Sequence, residues 1–187
     1  MNIILFGPPG AGKGTQSKYL IHKLNNFQVS TGDILREEIK KNSKIGQQII
    51  NNMNEGKFVS DEIVNTLIEK CIYDPQNKNK LIFDGYPRSL SQAKYLDLLL
   101  DQSNQKIDHI FFLNVNKDII IERIEKRKIL ENRSDDKTDT IIKRYDTYME
   151  ITRPVLNYYS KNLNFHEING TQEIDQITKE IEAFINV

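Results

Sequence analysis

Apolar and polar positions follow two periods along this chain, and the switches between them lay out a fold. Short apolar runs at 2–6, 27–30, 80–83, 109–114 and 164–168 read as strands. The first holds Ile3, Ile4, Leu5 and Phe6 in a row, with no polar face, which predicts a strand buried on both sides. Between the runs, apolar residues recur every three or four positions, the period of helices with one buried stripe. Strands alternating with helices predict one α/β domain over 1–187: a five-stranded parallel sheet with helices on both faces. Ligands of such sheets bind at the carboxyl ends of the strands, and polar stretches at 7–15, 30–36 and 84–88 each begin where a strand stops.

Two segments break the alternation. Between Thr31 and Tyr73 three helical patterns follow one another, with apolar faces Ile34/Leu35/Ile39, Ile45/Ile49/Met53 and Ile63/Val64/Leu67/Ile68. They predict a small helical lobe set on the sheet. The other is KILENRSDDK at 128–137, a polar loop between two helices. Ile141, Tyr145, Tyr148, Thr152, Leu156 and Tyr159 mark the second of these as one continuous helix.

Charge narrows the function. Lys plus Arg and Asp plus Glu both number 26, so no net field draws the chain to nucleic acid or an acidic membrane. Any anion site must come from local clustering. The single cysteine excludes a disulfide framework and a Cys-rich zinc site, and Cys71 falls in the apolar series of a helix, so it reads as packing. His22, His109 and His166 are far apart in sequence without ligand spacing, and no metal is assigned to them. With no basic leader, long apolar segment or lipidation signal, the expected location is the cytoplasm.

The loop GPPGAGKGTQ at 7–16 carries the first chemistry. Its glycines let the backbone curl with N–H groups inward, the helix starting near Lys13 adds its positive end, and Lys13 reaches over the phosphate-sized cradle. The match to G-x-x-x-x-G-K-[ST] departs at Gly14, which stands where a hydroxyl is expected, with Thr15 following. That departure argues for a magnesium ion held mostly through water by Asp84, at the end of the neighbouring strand. Six of the seven arginines lie near the site: Arg36 and Arg88 just past strand ends, and Arg123, Arg127, Arg133 and Arg144 around the polar loop. Guanidinium forks grip phosphate oxygens in pairs, so the set predicts more phosphate than one nucleotide carries. Arg153, beside Pro154, reads as structural.

Together GPPGAGKGTQ, STGDILR (30–36), EGKFVSDEIV (55–64), DGYPRS (84–89) with Gln92, ERIEKR (122–127) and RSDD (133–136) leading to Arg144 resemble the nucleoside monophosphate kinases. Within them the chain is similar to the adenylate kinases of the short-lid type, over essentially its whole length. The resemblance implies a three-layer P-loop NTPase-type fold with a nucleoside-monophosphate lobe at 30–59 and a short lid at 126–136. It implies that Gly10, Ala11, Gly12, Lys13, Gly14 and Thr15 hold the ATP phosphates, with Arg123 and Gln172 by the ATP base and Arg127 on its phosphates. The AMP site would comprise Thr31, Arg36, Lys57, Phe58, Val59, Gly85, Tyr86, Pro87, Arg88 and Gln92. Arg36 and Arg88 would grip its phosphate, Thr31 and Gln92 lie by its adenine, and Arg133 and Arg144 span both nucleotides. The catalytic set would be Lys13, Asp84, Arg88, Arg127, Arg133 and Arg144, with Mg²⁺ and no zinc.

The implied reaction is MgATP + AMP ⇌ 2 ADP, serving adenine nucleotide homeostasis and salvage, in a monomer without nucleic-acid or membrane partners. The same fold serves UMP/CMP kinases. Those relatives tend to carry Ala at the place of Thr31 and Asn near that of Gln92, so both residues favour adenine. A nucleotide-gated switch is the reading from another class. It needs only one nucleotide site, and the second set of arginines argues against it.

Overall fold

The structure, a computed structural model, describes residues 1–55, 57–131 and 138–186, without the side chains of 127–131, 138, 139 and 141. Strands β1 (Ile3–Phe6), β2 (Phe27–Ser30), β3 (Leu81–Asp84), β4 (His109–Asn114) and β5 (Phe165–Asn169) form one parallel sheet in the order β2-β3-β1-β4-β5. Each lies within a residue of the stretch its apolar run predicts. Helices α1 (Lys13–Leu24), α2 (Thr31–Lys40), α3 (Lys44–Asn54), α4 (Asp61–Tyr73), α5 (Leu90–Gln102), α6 (Lys117–Glu131), α7 (Thr138–Thr147), α8 (Arg153–Tyr159) and α9 (Ile174–Ile185) connect and follow them.

The two-residue period of the strands divides the core into two layers. Ile3, Leu5, Ile82 and Phe111 pack on one face with Leu20 of α1 and Ile177 and Ile181 of α9. Ile4, Phe6 and Phe83 pack on the other with Leu96 of α5 and Val155 and Tyr159 of α8. Because β1 is central and the chain leaves it towards both edges, its carboxyl end is the switch point where such sheets hold ligands. Leu5 and Ser30 both register against Asp84, which brings the ends of β1, β2 and β3 level.

Helices α2, α3 and α4 form the predicted lobe, with Leu35, Ile49, Val64 and Ile68 buried between them and the sheet. Cys71 packs against the same core, and burial pushes its thiol up, away from a reactive thiolate. Gly46, in the first turn of α3, lets α2 approach closely. A Cβ there would sit 2.1 Å from the Glu38 carbonyl oxygen and 2.9 Å from the Ile39 Cα. Alanine gains about 1 kcal/mol of helix propensity over glycine, but a backbone clash of this depth outweighs it. Gly46→Ala is expected to destabilise the protein by about 1–3 kcal/mol, read as a Tm lower by several degrees; an unchanged Tm would show that the α2–α3 contact yields freely.

The single helix expected over the 141–159 series is interrupted. After α7, residues Tyr148–Thr152 form a π-turn in which the Arg153 N–H reaches the Tyr148 carbonyl, and α8 starts with Pro154 in its first turn. Proline has no N–H for a carbonyl four residues back and its ring crowds that carbonyl, so the widened turn relieves the conflict. Among the described residues, no helix is long and apolar enough to cross a membrane.

Candidate active site

Beyond Phe6 the chain turns into a loop closed by the Ala11 amide, which donates to the Pro8 carbonyl at 3.1 Å. Gly12 caps α1 with φ of 99°, a left-handed conformation that a side chain would strain even though nothing lies within 4 Å of a Cβ there. It supplies no side-chain cap and the first turn of α1 holds no acid, so that turn's N–H groups are left for an anion. The Lys13 ammonium folds back over the loop, donating to the carbonyls of Gly7 at 2.8 Å and Pro8 at 3.0 Å. Asp84 Oδ2 stands 3.6 Å from where a Gly14 Cβ would lie and accepts from Gln28 Nε2 at 3.2 Å. Arg123 Nη1 points at the Ala11 carbonyl from 3.4 Å. One cation over the loop, one beside it and a carboxylate facing it thus surround a ring of backbone donors.

A second cluster follows β2 and β3. Thr31 is buried at the start of α2, and its Oγ1 donates to the Gly85 carbonyl at 2.8 Å. Arg88 Nε donates to the same carbonyl at 2.7 Å, and its Nη2 to Thr31 Oγ1 at 3.2 Å. Its Cζ lies 5.5 Å from the centre of the Phe58 ring. These contacts fix the guanidinium plane at the mouth of the lobe. Arg36 folds back over Gly32 and pairs with Asp33 at 2.6 Å. Val59 and Tyr86 are buried, Tyr86 donates to Asn65 Oδ1 at 2.8 Å, and the Tyr86–Pro87 bond is cis. Gln92 is 3% exposed, with both ends of its amide bonded to protein.

The remaining predicted residues lie on other segments of the chain. The exposed Lys57 ammonium is turned to Glu55 at 2.6 Å. Gln172 lies in the turn after β5, and Arg144 in the last turn of α7. Arg127 belongs to α6, but its side chain is outside the described residues, as is Arg133; the polar loop expected over 128–137 starts later than its composition suggests, because Lys128, Leu130 and Glu131 are good helix formers and α6 runs on to Glu131, while 132–137 lie outside the described residues. The histidines depart from the sequence reading: β4 and β5 are neighbours, so His109 Nδ1 and His166 Nε2 are 3.4 Å apart. Sequence separation hid what strand adjacency makes. Among the described residues, no group of three or more His, Cys, Asp or Glu could hold a metal.

Two further features escaped sequence reasoning. Asp61 gathers bonds from Ser89, Ser91 and Gln92, a network visible only once α4 and α5 cross. A cleft of about 700 Å³ opens beside Pro8, walled by the end of β4 and by Tyr145, Tyr148 and Arg153, so Arg153 lines open space.

The chain matches the adenylate kinase family model over residues 5–164. It is 47% identical to an adenylate kinase of Pelagibacter ubique over an alignment 213 positions long, gaps included, covering the whole of both chains. An adenylate kinase of Mycoplasma capricolum is 39% identical, again over the whole of both. One from a Caulobacter species is 40% identical over 187 residues, all of this chain and 99% of that one.

Proposed function

The chain belongs to the adenylate kinase family and is an ATP:AMP phosphotransferase, and on that premise we propose which of its residues carry each part of the transfer. The donor ATP lies on the loop 10–15, with Lys13 on its terminal phosphates, Arg123 and Gln172 at its base, and Arg127 on its phosphates. The acceptor AMP lies in the 30–59 lobe and the 85–92 turn, with Arg36 and Arg88 on its phosphate and Thr31 and Gln92 by its adenine. Phe58, Val59, Gly85, Tyr86 and Pro87 wall that position, and Lys57 contributes backbone rather than its amine. Arg133 and Arg144 complete the charge across both nucleotides, and 126–136 is the covering segment. The observation that carries this reading is the pair of cation clusters on adjacent strand ends, Lys13 after β1 and Arg88 after β3, with the ends of β1 and β3 in register.

Phosphoryl transfer asks mainly for alignment and charge neutralisation, and these side chains supply both. The acceptor needs no general base, because a phosphate monoester with second pKa near about 6 is largely dianionic at pH 7. Lys13 stabilises charge on the group in flight, and Arg88 orients the attacking oxygen. Adenylate kinases use Mg²⁺ with ATP. One carboxylate at Asp84, opposite a Gly14 that offers no hydroxyl, fits an ion that keeps most of its waters. Asp84 would hold that ion through water, and the ion would supply positive charge to offset that of the phosphates.

Each nucleotide position draws on this one chain, which supports a monomer, acting in the cytoplasm where its substrates are supplied. A coupled assay with ATP and each of AMP, CMP, UMP and dTMP tests the acceptor. AMP is expected to exceed CMP in kcat/KM by at least about a hundredfold, since a hydrogen-bonding site rejects a base whose edge leaves its groups unpaired. Comparable turnover of CMP would move the reading to the pyrimidine kinases.

A further inference from the structure

Asp61 belongs to neither nucleotide position in the reading above, yet its carboxylate receives three donors. From the first turn of α4 it reaches the start of α5, where Oδ1 accepts from Gln92 Nε2 at 2.7 Å. Oδ2 accepts from Ser89 Oγ at 3.1 Å and from Ser91 Oγ. At the other end of the same amide, Gln92 Oε1 accepts the Arg88 backbone N–H at 2.7 Å. A carboxylate only accepts and a backbone N–H only donates, so both contacts favour one and the same orientation of the amide and their contributions add. The serine hydroxyls hold the second oxygen and stop the carboxylate from swinging away.

We propose that Asp61 is a positioning residue that locks the Gln92 amide in one orientation and thereby sets the choice of AMP over 6-oxopurine monophosphates. This rests on the reading of Gln92 as a base contact. A glutamine amide has two N–H bonds and two oxygen lone pairs, and with one of each engaged, one of each remains for a base. Adenine offers a donor at N6 beside an acceptor at N1. Hypoxanthine and guanine offer the reverse, an acceptor at O6 beside a donor at N1. A free glutamine turns over and serves either edge, whereas a clamped one serves only the edge it is set for. Discrimination between purines then depends on a carboxylate that never touches the base.

The test measures kcat/KM for AMP and IMP at saturating ATP in the parent and in Asp61→Ala, Asp61→Asn and Gln92→Ala. Asp61→Ala is expected to lower the AMP:IMP ratio about tenfold, as the loss of one bond to a charged group implies, through KM for the monophosphate and with KM for ATP unchanged. Asp61→Asn still turns an oxygen to Gln92 Nε2 and its NH₂ to the serines, and is expected to keep the ratio within about twofold of the parent. An Asp61→Ala enzyme with the parent ratio, whatever its Tm, overturns the proposal; where that variant does not fold, Asp61→Ser carries the same comparison. Gln92→Ala separates the two readings. If it leaves the ratio unchanged, Gln92 is not a base contact; if it collapses the ratio while Asp61→Ala does not, only the role of Asp61 falls.

Discussion

Lys13→Met is expected to lower kcat about a thousandfold while the Tm moves by only a few degrees. Methionine keeps the length and most of the volume of the side chain but carries no charge and no donor. On the folded protein the loss includes the bonds to the carbonyls of Gly7 and Pro8 at 2.8 and 3.0 Å, each contributing about 1 kcal/mol. In the transfer proposed above the loss would be larger, because there the ammonium would neutralise oxygens whose charge redistributes as the phosphoryl group moves. A thousandfold corresponds to about 4 kcal/mol of barrier, several times a neutral hydrogen bond. Lys13→Gln distinguishes charge from loop closure, since glutamine keeps two N–H donors, on a stem one atom shorter, but carries no charge. If Gln restores most of the activity that Met removes, Lys13 acts by shaping the loop; if both are equally impaired with near-parent Tm, it acts by its charge.

The fold was legible because burial writes itself into the sequence at a fixed period. Ile3 to Phe6 has no polar position, and the structure buries all four residues between two helical layers. The two clusters were legible for a related reason: the stretches that begin at strand ends must meet at one edge of a parallel sheet. What stayed hidden depends on which elements neighbour one another. His109 and His166 are 57 residues apart, and nothing local says that β4 and β5 pair. Asp61 and Gln92 are 31 apart and meet only through the packing of α4 on α5. The π-turn at Tyr148–Thr152 keeps the apolar spacing of an ordinary helix, and only Pro154 hints that the backbone hydrogen bonds must change. Gln92 was identifiable as a residue, but not that its amide is already committed at both ends.

Arg88→Lys is expected to raise KM for AMP about a hundredfold at unchanged charge, with KM for ATP near that of the parent. Among the contacts that hold the guanidinium are Nε on the Gly85 carbonyl, Nη2 on Thr31 Oγ1 and the Phe58 ring, whose centre lies 5.5 Å from Cζ. That frame turns the fork in one direction before any ligand arrives, so binding loses little side-chain entropy. Lysine can replace the charge but not the frame. Its three donors point from a single nitrogen on a flexible stem, and it cannot bond Gly85, bond Thr31 and grip two phosphate oxygens together. Losing one charge-assisted bond of the pair costs about 1.5–3 kcal/mol, roughly 10- to 150-fold in affinity. Arg36 serves as the internal control. It is paired with Asp33 at 2.6 Å, its side chain is 30% exposed and Asp33 is 58% exposed, so solvent screens its field and Arg36→Lys is expected to cost several-fold less than Arg88→Lys. If Arg88→Lys leaves KM for AMP within about twofold of the parent, the acceptor phosphate does not rest on that fork, and the 85–92 turn shapes the pocket without gripping its ligand.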